Sequence, residues 1–324
     1  MQTTITIADV LQARQRIAPY LMPTPAHRYP ALEKKIGFNL WIKHENHQPT
    51  GAFKVRGGVN YCGALPPDER NRGVIAASTG NHGQSVAFAA RLYGIPAKIV
   101  VPEGANPDKV RAIENLGAEI IYHGKHYEEC KRHAEELADS TGIRYISAGD
   151  EPLLISGVGT YALELMEAVP DLDVIYVPVG GGSGASGCCI VGHAVRPGLK
   201  VIGVQSAHAP AVFESWKSGK TVITDSADTF AEGLATLSPF ELPLNILRRE
   251  LDDFVLVTDD ELRAAIRMLL TYTHNIAEGA GAAAFAAAWR EREKWQRKNV
   301  AVIMSGGNLT MEQLRDILEG EQNR

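Results

Sequence analysis

Short apolar runs alternate with longer helix-patterned stretches along most of the chain, and this alternation constrains the fold more than any other feature. The runs are Phe38–Lys43, Gly73–Ser78, Ala97–Val101, Ala118–Tyr122, Ile143–Ile146, Val174–Val179, Lys200–Val204, Asp253–Val257 and Asn299–Met304. Several are nearly continuous in Val and Ile, as strands buried on both faces are. Between them lie helix candidates at His82–Tyr93, Pro107–Leu116, His126–Ser140 and Asp259–Thr273. Alternating β and α units imply parallel sheets with helices on both faces, an α/β architecture. Local signals agree. Asn106 is a good N-cap before a first-turn Pro107, Gly117 follows Leu116 where a helix C-terminal glycine belongs, and Asp259 and Asp260 open the helix after Val257.

A chain of 324 residues suggests roughly two domains at about 150 residues each. The units between about Val74 and Ile146 read as a small sheet of their own. This gives a small inserted α/β domain at 69–148 and a larger domain built from 1–68 and 149–324. Only one short helix follows the strand Asn299–Met304, so no regulatory domain is expected after it. The balance of 33 basic and 38 acidic residues, net −5, argues against a nucleic-acid binder. No stretch approaches 18 apolar residues without charge, so no membrane span is expected. Met1–Val10 has no basic segment leading into an apolar run, hence no visible secretory signal. Cys62, Cys130, Cys188 and Cys189 form no C-x-x-C pair and read as reduced thiols of a cytoplasmic protein. The expected partner is a small molecule; the oligomeric state stays open, a homo-oligomer included.

Ligands of open α/β sheets bind at the carboxyl ends of the strands. Three strand ends here are polar and glycine-rich: Ser78–Gln84, Gly180–Gly187 and Ser305–Asn308. Glycine is the compositional outlier, 31 of 324, and its excess is concentrated in such clusters. Gly180-Gly181-Gly182-Ser183-Gly184 joins a buried-type strand to the helix candidate Ala185–Ala194, exposing backbone N–H groups at a helix start, a ready phosphate site. A plain turn needs fewer glycines, since each extra one costs about 0.5–1 kcal/mol of backbone entropy. Gly182, Gly184 and Gly187 also match the dinucleotide fingerprint G-x-G-x-x-G. That fingerprint wants an acid after the next strand to hold the ribose, and the chain has Gln205 there. An NAD-linked oxidoreductase is therefore the second reading, and a cofactor-binding protein without turnover the third. The end at Ser78 offers Ser78, Thr79, Asn81 and His82 at a helix start, which suits a carboxylate better than simple capping does. Lys54 lies between Phe53 and Val55 after Gly51. An amine among apolar groups loses its proton readily, as a Schiff-base lysine must.

In combination these residues resemble the fold-type-II pyridoxal-phosphate enzymes, in the threonine/serine dehydratase and serine racemase branch. The matching pieces are Lys43–Asn46 running into Pro49–Gly58, Ser78–Gln84, Val177–Gly184, Glu278–Ala282 and Ser305–Asn308, in family order across 43–308. The resemblance implies a two-domain fold of the tryptophan synthase β type with parallel and mixed sheets. It implies pyridoxal 5'-phosphate as cofactor, joined covalently to Lys54, with Phe53 against its ring. Gly180, Gly181, Gly182, Ser183 and Gly184 would hold the phosphate, Asn81 the ring hydroxyl and Ser305 the pyridine nitrogen, with Glu278 near the ring edge. Ser78, Asn81 and His82 would cradle the carboxylate of an amino-acid substrate. The implied reaction is β-elimination on a 3-hydroxy L-amino acid, Lys54 taking the α-proton and the products being a 2-oxo acid and ammonia. A neutral serine at the pyridine nitrogen makes a weaker electron sink than an aspartate would, which suits elimination.

Three departures from the family pattern matter. Many relatives hold a divalent cation with a glutamate and an aspartate where this chain has Gln205 and Ala211, so no metal is expected at that place. Thr79 stands where dehydratases carry alanine and racemases a serine that works as the second-face acid/base, which makes it a catalytic candidate and racemisation the alternative activity. Gly157-Val158-Gly159-Thr160 replaces Gly-Gln-Gly-Thr. With Thr79, this points to a substrate bulkier than threonine, such as a phenylserine-like amino acid. His126, Cys130 and His133 fall at zinc-compatible spacing, but the charged residues among them favour a solvated helix face. Cys188 and Cys189 read as inert core thiols.

Overall fold

The computed structural model describes residues 4–320. Its strands are β1 (Ala26–Arg28), β2 (Asn39–His44), β3 (Val74–Ala77), β4 (Ala97–Val101), β5 (Glu119–Tyr122), β6 (Arg144–Tyr145), β7 (Val174–Pro178), β8 (Lys200–Ser206), β9 (Asp253–Val257) and β10 (Asn299–Met304). They form a six-stranded sheet in the order β1-β2-β10-β7-β8-β9 and a four-stranded sheet in the order β5-β4-β3-β6. Every pairing is parallel except that of β1 with β2. Each apolar run picked out in the sequence becomes a strand. The edge strand β1 carries no such signal, because its Ala-His-Arg sequence has neither the length nor the apolar character of the others.

Both sheets are covered on two faces, and the period-two alternation of the strands shows it. Val74, Ala76, Ile99 and Val101 join one cluster with Val55, Val59 and Cys62 of the helix Lys54–Ala64 and with Val86, Ala87 and Ala90 of the helix Asn81–Tyr93. Their neighbours Ile75, Ala77 and Val100 join another with Cys130 and Ala134 of the helix Tyr127–Thr141. In the larger sheet Val174, Tyr176, Ile202, Val204, Val300 and Val302 pack with the helices Asp259–Thr273 and Gly279–Arg290. Ile175, Val177 and Val201, on the opposite face, are equally buried, and the helix Ser183–Val195 packs against β7 and β8.

The chain divides into two compact units. One takes the chain up to Met22 together with Lys54–Thr160; the other takes Pro23–Phe53 together with Tyr161 onward. The strands of the small sheet lie within 69–148, but its unit is wider, because some of the helices packed with it, such as Lys54–Ala64, come from outside that segment. Close glycine packing holds one of them. A Cβ on Gly58 would meet the Ser85 carbonyl oxygen at 2.6 Å, and one on Gly157 would meet the Arg56 carbonyl at 2.7 Å. Thr160 Oγ1 accepts from Arg56 Nη1 at 3.1 Å and donates to the Gly157 carbonyl at 2.7 Å. Gly157 and Thr160 therefore serve helix packing around the Lys54 helix.

Local signals hold with small shifts. Asn106 accepts from the Asp108 and Lys109 N–H groups as an N-cap should. That helix stops at Glu114, and Gly117 (φ 92°) donates its N–H to the Glu114 carbonyl at 2.8 Å. His126 is the N-cap of its helix and not part of it. His133 stacks on His123 at 3.9 Å, and Cys130 is buried with its thiol against the His123 carbonyl at 3.1 Å, so His126, Cys130 and His133 do not converge. Among the described residues no group of three or more His, Cys, Asp or Glu side chains is placed to hold a metal ion. No helix among the described residues is long and apolar enough to cross a membrane.

Candidate active site

The site residues expected from the sequence fall into two sets, one in each unit. In the first unit Lys54 opens its helix, with Nζ donating to the Ala148 carbonyl at 3.0 Å. Removal from water favours the neutral amine and lowers the Lys54 pKa to about 8. The Lys54 carbonyl in turn accepts from Ser85 Oγ at 2.7 Å, so the helix Asn81–Tyr93 fixes the backbone of the lysine. That helix starts directly after β3, through Ser78-Thr79-Gly80. Ser78 Oγ accepts the Gly80 N–H at 3.1 Å, closing the turn, and no side chain caps the helix start. Asn81 is the first helical residue, half-buried.

His82 is buried and its Nε2 lies 3.1 Å from the Ile146 carbonyl. A carbonyl only accepts, so Nε2 carries the proton and Nδ1 presents a lone pair. Nδ1 is buried and has no hydrogen-bond partner among the described residues. Burial, and then the nearby Lys54 amine, push the His82 pKa down to about 3, so the imidazole stays neutral. One segment, Ile146-Ser147-Ala148-Gly149, thus passes both His82 and Lys54 and carries only small side chains beyond Ile146.

In the second unit the glycine loop joins β7 to the helix Ser183–Val195. Protein packing demands glycine at several of its positions. A Cβ on Gly180 would collide with the Gly233 carbonyl, one on Gly181 would meet Phe240 at 2.9 Å, and one on Gly184 would lie 3.0 Å from Tyr161 Oη and 3.2 Å from Phe53. Gly182 has a left-handed φ of 89° and caps the helix without any side-chain acceptor. What packing leaves unused is the set of N–H groups at the helix start, the positive end of its dipole. Ser186 Oγ, in the same turn, is buried and has no hydrogen-bond partner among the described residues. An uncapped helix start with an orphan hydroxyl fits a phosphate.

The remaining residues converge at the end of β10. The Ser305 carbonyl accepts the Phe53 N–H at 2.9 Å, and Ala52 bridges Gly306. The Gly51 carbonyl accepts from Gly307 N–H at 2.9 Å, and Asn308 donates to the Thr50 carbonyl at 2.8 Å. Glu278 donates its N–H to the Gly306 carbonyl at 3.1 Å, and a Cβ on Gly306 would run into its carboxylate. Ser305, Glu278 and Phe53 are therefore neighbours. Below them Lys43 is buried, bonded to Glu164 at 2.5 Å and to the Thr24 carbonyl at 2.7 Å.

Gln205 is buried at the end of β8, where a dinucleotide site would need an acid. Its Oε1 accepts from the Phe213 N–H at 2.9 Å and its Nε2 donates to Thr236 Oγ1 at 3.3 Å, so protein bonds occupy the amide. The glycine fingerprint stands without its ribose acid, which sets aside the nicotinamide reading. Ala211, buried at the start of its helix, has no ligating atom on its side chain. Cys188 and Cys189 are fully buried and burial raises both thiols, Cys188 to about 12.

Tyr161, Ile146 and Ala148 are neighbours of the site that the sequence did not reveal. Two of the three act through backbone carbonyls, which leave no residue-type signature. Tyr161 sits in an apolar helix where an aromatic reads as core.

Comparison with known proteins agrees with this chemistry. Residues 17–306 match the family described as "Pyridoxal-phosphate dependent enzyme". The chain is 36% identical over 314 residues to the L-threonine ammonia-lyase of Thermotoga maritima, covering 97% of this chain and 78% of that one. It is 36% identical over 318 residues to the L-threo-3-hydroxyaspartate ammonia-lyase of Saccharomyces cerevisiae, covering 98% of each. Maize serine racemase superposes with a TM-score of 0.92 at 31% identity, covering 99% of both chains.

Proposed function

Because the chain belongs to the family of pyridoxal-phosphate-dependent enzymes, we propose that it is an ammonia-lyase, a dehydratase that converts a 3-hydroxy L-amino acid to a 2-oxo acid and ammonia. The observation that carries the reading is the Lys54 amine, shifted to a pKa of about 8 on the same unit as the uncapped helix start at Asn81. Such a pairing puts a base beside a carboxylate receptor. The names of the yeast and Thermotoga relatives support the reaction class.

Bound pyridoxal phosphate supplies an aldehyde for covalent capture of amines and an electron sink that acidifies the α-carbon. Lys54 is the residue that would be joined to it. Gly180, Gly181, Gly182, Ser183 and Gly184 would hold its phosphate through N–H groups. Phe53 would face its ring, with Asn81 at the ring hydroxyl, Ser305 at the pyridine nitrogen and Glu278 near the ring edge. Ser305 is a hydroxyl and cannot hold a proton on that nitrogen as a carboxylate would, which favours elimination over transamination.

The chain's own residues do the rest. Ser78, Asn81 and the helix N–H groups bind the substrate carboxylate, fixing the α-carbon. Neutral His82 adds no competing charge, and its Nε2–H is already given to the Ile146 carbonyl, so the Ser78–Asn81 turn does the binding. Lys54 takes the α-proton at Nζ and the β-hydroxyl departs. The water lost in elimination is regained when the product hydrolyses to the 2-oxo acid and ammonia, so the net change is loss of ammonia. The segment whose Ala148 carbonyl accepts from Lys54 carries only the small side chains of Ser147, Ala148 and Gly149, which supports a substrate side chain larger than a methyl group. The four buried thiols support a reducing compartment, the cytoplasm.

A second reading, amino-acid racemisation, has one observation in its favour. Thr79 puts a second hydroxyl next to Ser78, and maize serine racemase shares the fold over its full length. One experiment separates the two. Serine, threonine, 3-hydroxyaspartate and phenylserine are offered in turn, with coupled ammonia release and chiral chromatography as readouts. The lyase reading expects stoichiometric ammonia and 2-oxo acid, with larger side chains preferred. A D-amino acid without ammonia would replace it by the racemase reading, and Lys54→Ala retaining turnover would end both.

A further inference from the structure

Tyr161 is buried at 1% exposure and belongs to none of the motifs that define the site. Its hydroxyl donates to the Gly184 carbonyl at 2.9 Å, in the first turn of the phosphate-loop helix. Its ring meets Phe53 edge-to-face, with centroids 6.0 Å apart and planes at 89°. Gly184 completes the triangle. A Cβ there would lie 3.0 Å from Tyr161 Oη and 3.2 Å from Phe53 Cε2. Phe53 is in turn pinned by its N–H to the Ser305 carbonyl. One side chain therefore touches both the loop and the residue proposed to face the cofactor ring.

The polar half of this contact has a direct electrical consequence. The Gly184 carbonyl and the Ala185 N–H belong to one peptide group. A donor on the carbonyl polarises that group and makes the N–H a stronger donor, an effect of roughly 10–30% per bond in a low-dielectric interior. Ala185 N–H is among the helix-start donors without an intrahelical partner. The chain of donors runs one step further back, since Cys188 Sγ lies 3.4 Å from Tyr161 Oη and burial keeps that thiol protonated.

We propose that Tyr161 is a positioning residue for the cofactor, strengthening through its hydroxyl the Ala185 N–H at the helix start that adjoins the phosphate loop, and fixing Phe53 through its ring. This rests on the reading of Gly180–Gly184 as the phosphate site. The test uses the full-length chain and three variants, each titrated with pyridoxal phosphate, with the ³¹P resonance and visible absorption band of the bound cofactor as further readouts. Tyr161→Phe keeps the ring and removes one hydrogen bond. It should bind cofactor about fivefold more weakly, the equivalent of ~1 kcal/mol, and move the ³¹P resonance while leaving the visible band in place. Tyr161→Leu removes the ring as well and should shift the band too. Cys188→Ala leaves the tyrosine and should move the ³¹P resonance in the same direction by less. Unchanged affinity and ³¹P resonance in Tyr161→Phe, or a lowered urea midpoint as its only effect, would overturn the proposal. Should Tyr161→Phe not fold, an unmoved ³¹P resonance in Cys188→Ala overturns it instead. If the wild-type chain itself shows no change in ³¹P resonance on taking up the cofactor, the reading of the loop fails, which is a different result.

Discussion

The Lys54 amine gives the sharpest test of the electrostatics, and pH is the perturbation. In the native, cofactor-free chain its pKa is lowered from 10.5 to about 8, the cause being removal from water. At pH 7 about 9% of such amines are neutral, against about 0.03% for an unperturbed lysine, roughly a 300-fold gain in reactive form. Competitive trace acetylation from about pH 6 to 11, with peptide mapping, reads this directly, because only the neutral amine reacts. Labelling of the native Lys54 peptide should reach half-maximum near pH 8. In urea the same peptide should move to about 10.4, the model-peptide value. The sign follows from the cause: burial penalises the ammonium form, so the native chain gives up this proton at lower pH than the unfolded one. Between those two values the unfolded chain binds more protons, and the cofactor-free protein should gain stability as pH rises. A native midpoint at about pH 10 or above would refute the claim that the fold prepares this amine.

Four further outcomes are expected. His82 should show the ¹⁵N shifts of a neutral imidazole protonated at Nε2 down to about pH 5, because its pKa is lowered to about 3; an imidazolium pattern there would contradict its burial. Lys43→Met leaves the Glu164 carboxylate without its buried cation, and urea unfolding should report a loss of about 3–5 kcal/mol. Gly180→Ala sets a methyl group against the Gly233 carbonyl and should cost about 1–3 kcal/mol of stability in urea unfolding, with weaker cofactor retention on dialysis. Treatment with EDTA should leave turnover and the thermal midpoint unchanged, since the amide of Gln205 is bonded to Phe213 and Thr236 and offers no carboxylate to a cation; a drop reversed by Mg²⁺ would disprove this.

Strand positions were legible in the sequence because fully buried parallel strands need short, nearly continuous runs rich in Val and Ile, bounded by polar or glycine residues. The glycine loop, Lys54 and the Ser78–His82 turn were legible for a related reason: polar and glycine-rich sequence directly after an apolar strand has few structural uses. Capping and helix starts were close, within a residue or two, as at Asn106 and Asp259. The limits of the two compact units were not legible. They depend on which helices cover which sheet face, and close approaches such as Gly58 on Ser85 or Gly157 on Arg56 leave only single glycines behind as a trace.

What the sequence determined by itself is the inventory: the α/β alternation, the three polar strand ends, and a lysine in an apolar setting. Those follow from residue type and local spacing. Only the tertiary structure decided how that inventory acquires its chemistry. The Lys54 pKa depends on its desolvated surroundings, the neutrality of His82 on burial and a carbonyl from Ile146, and the role of Tyr161 on a carbonyl across from it at Gly184. Backbone carbonyls are identical in every residue, and desolvation is a property of surroundings, so neither is written in any one position of the chain.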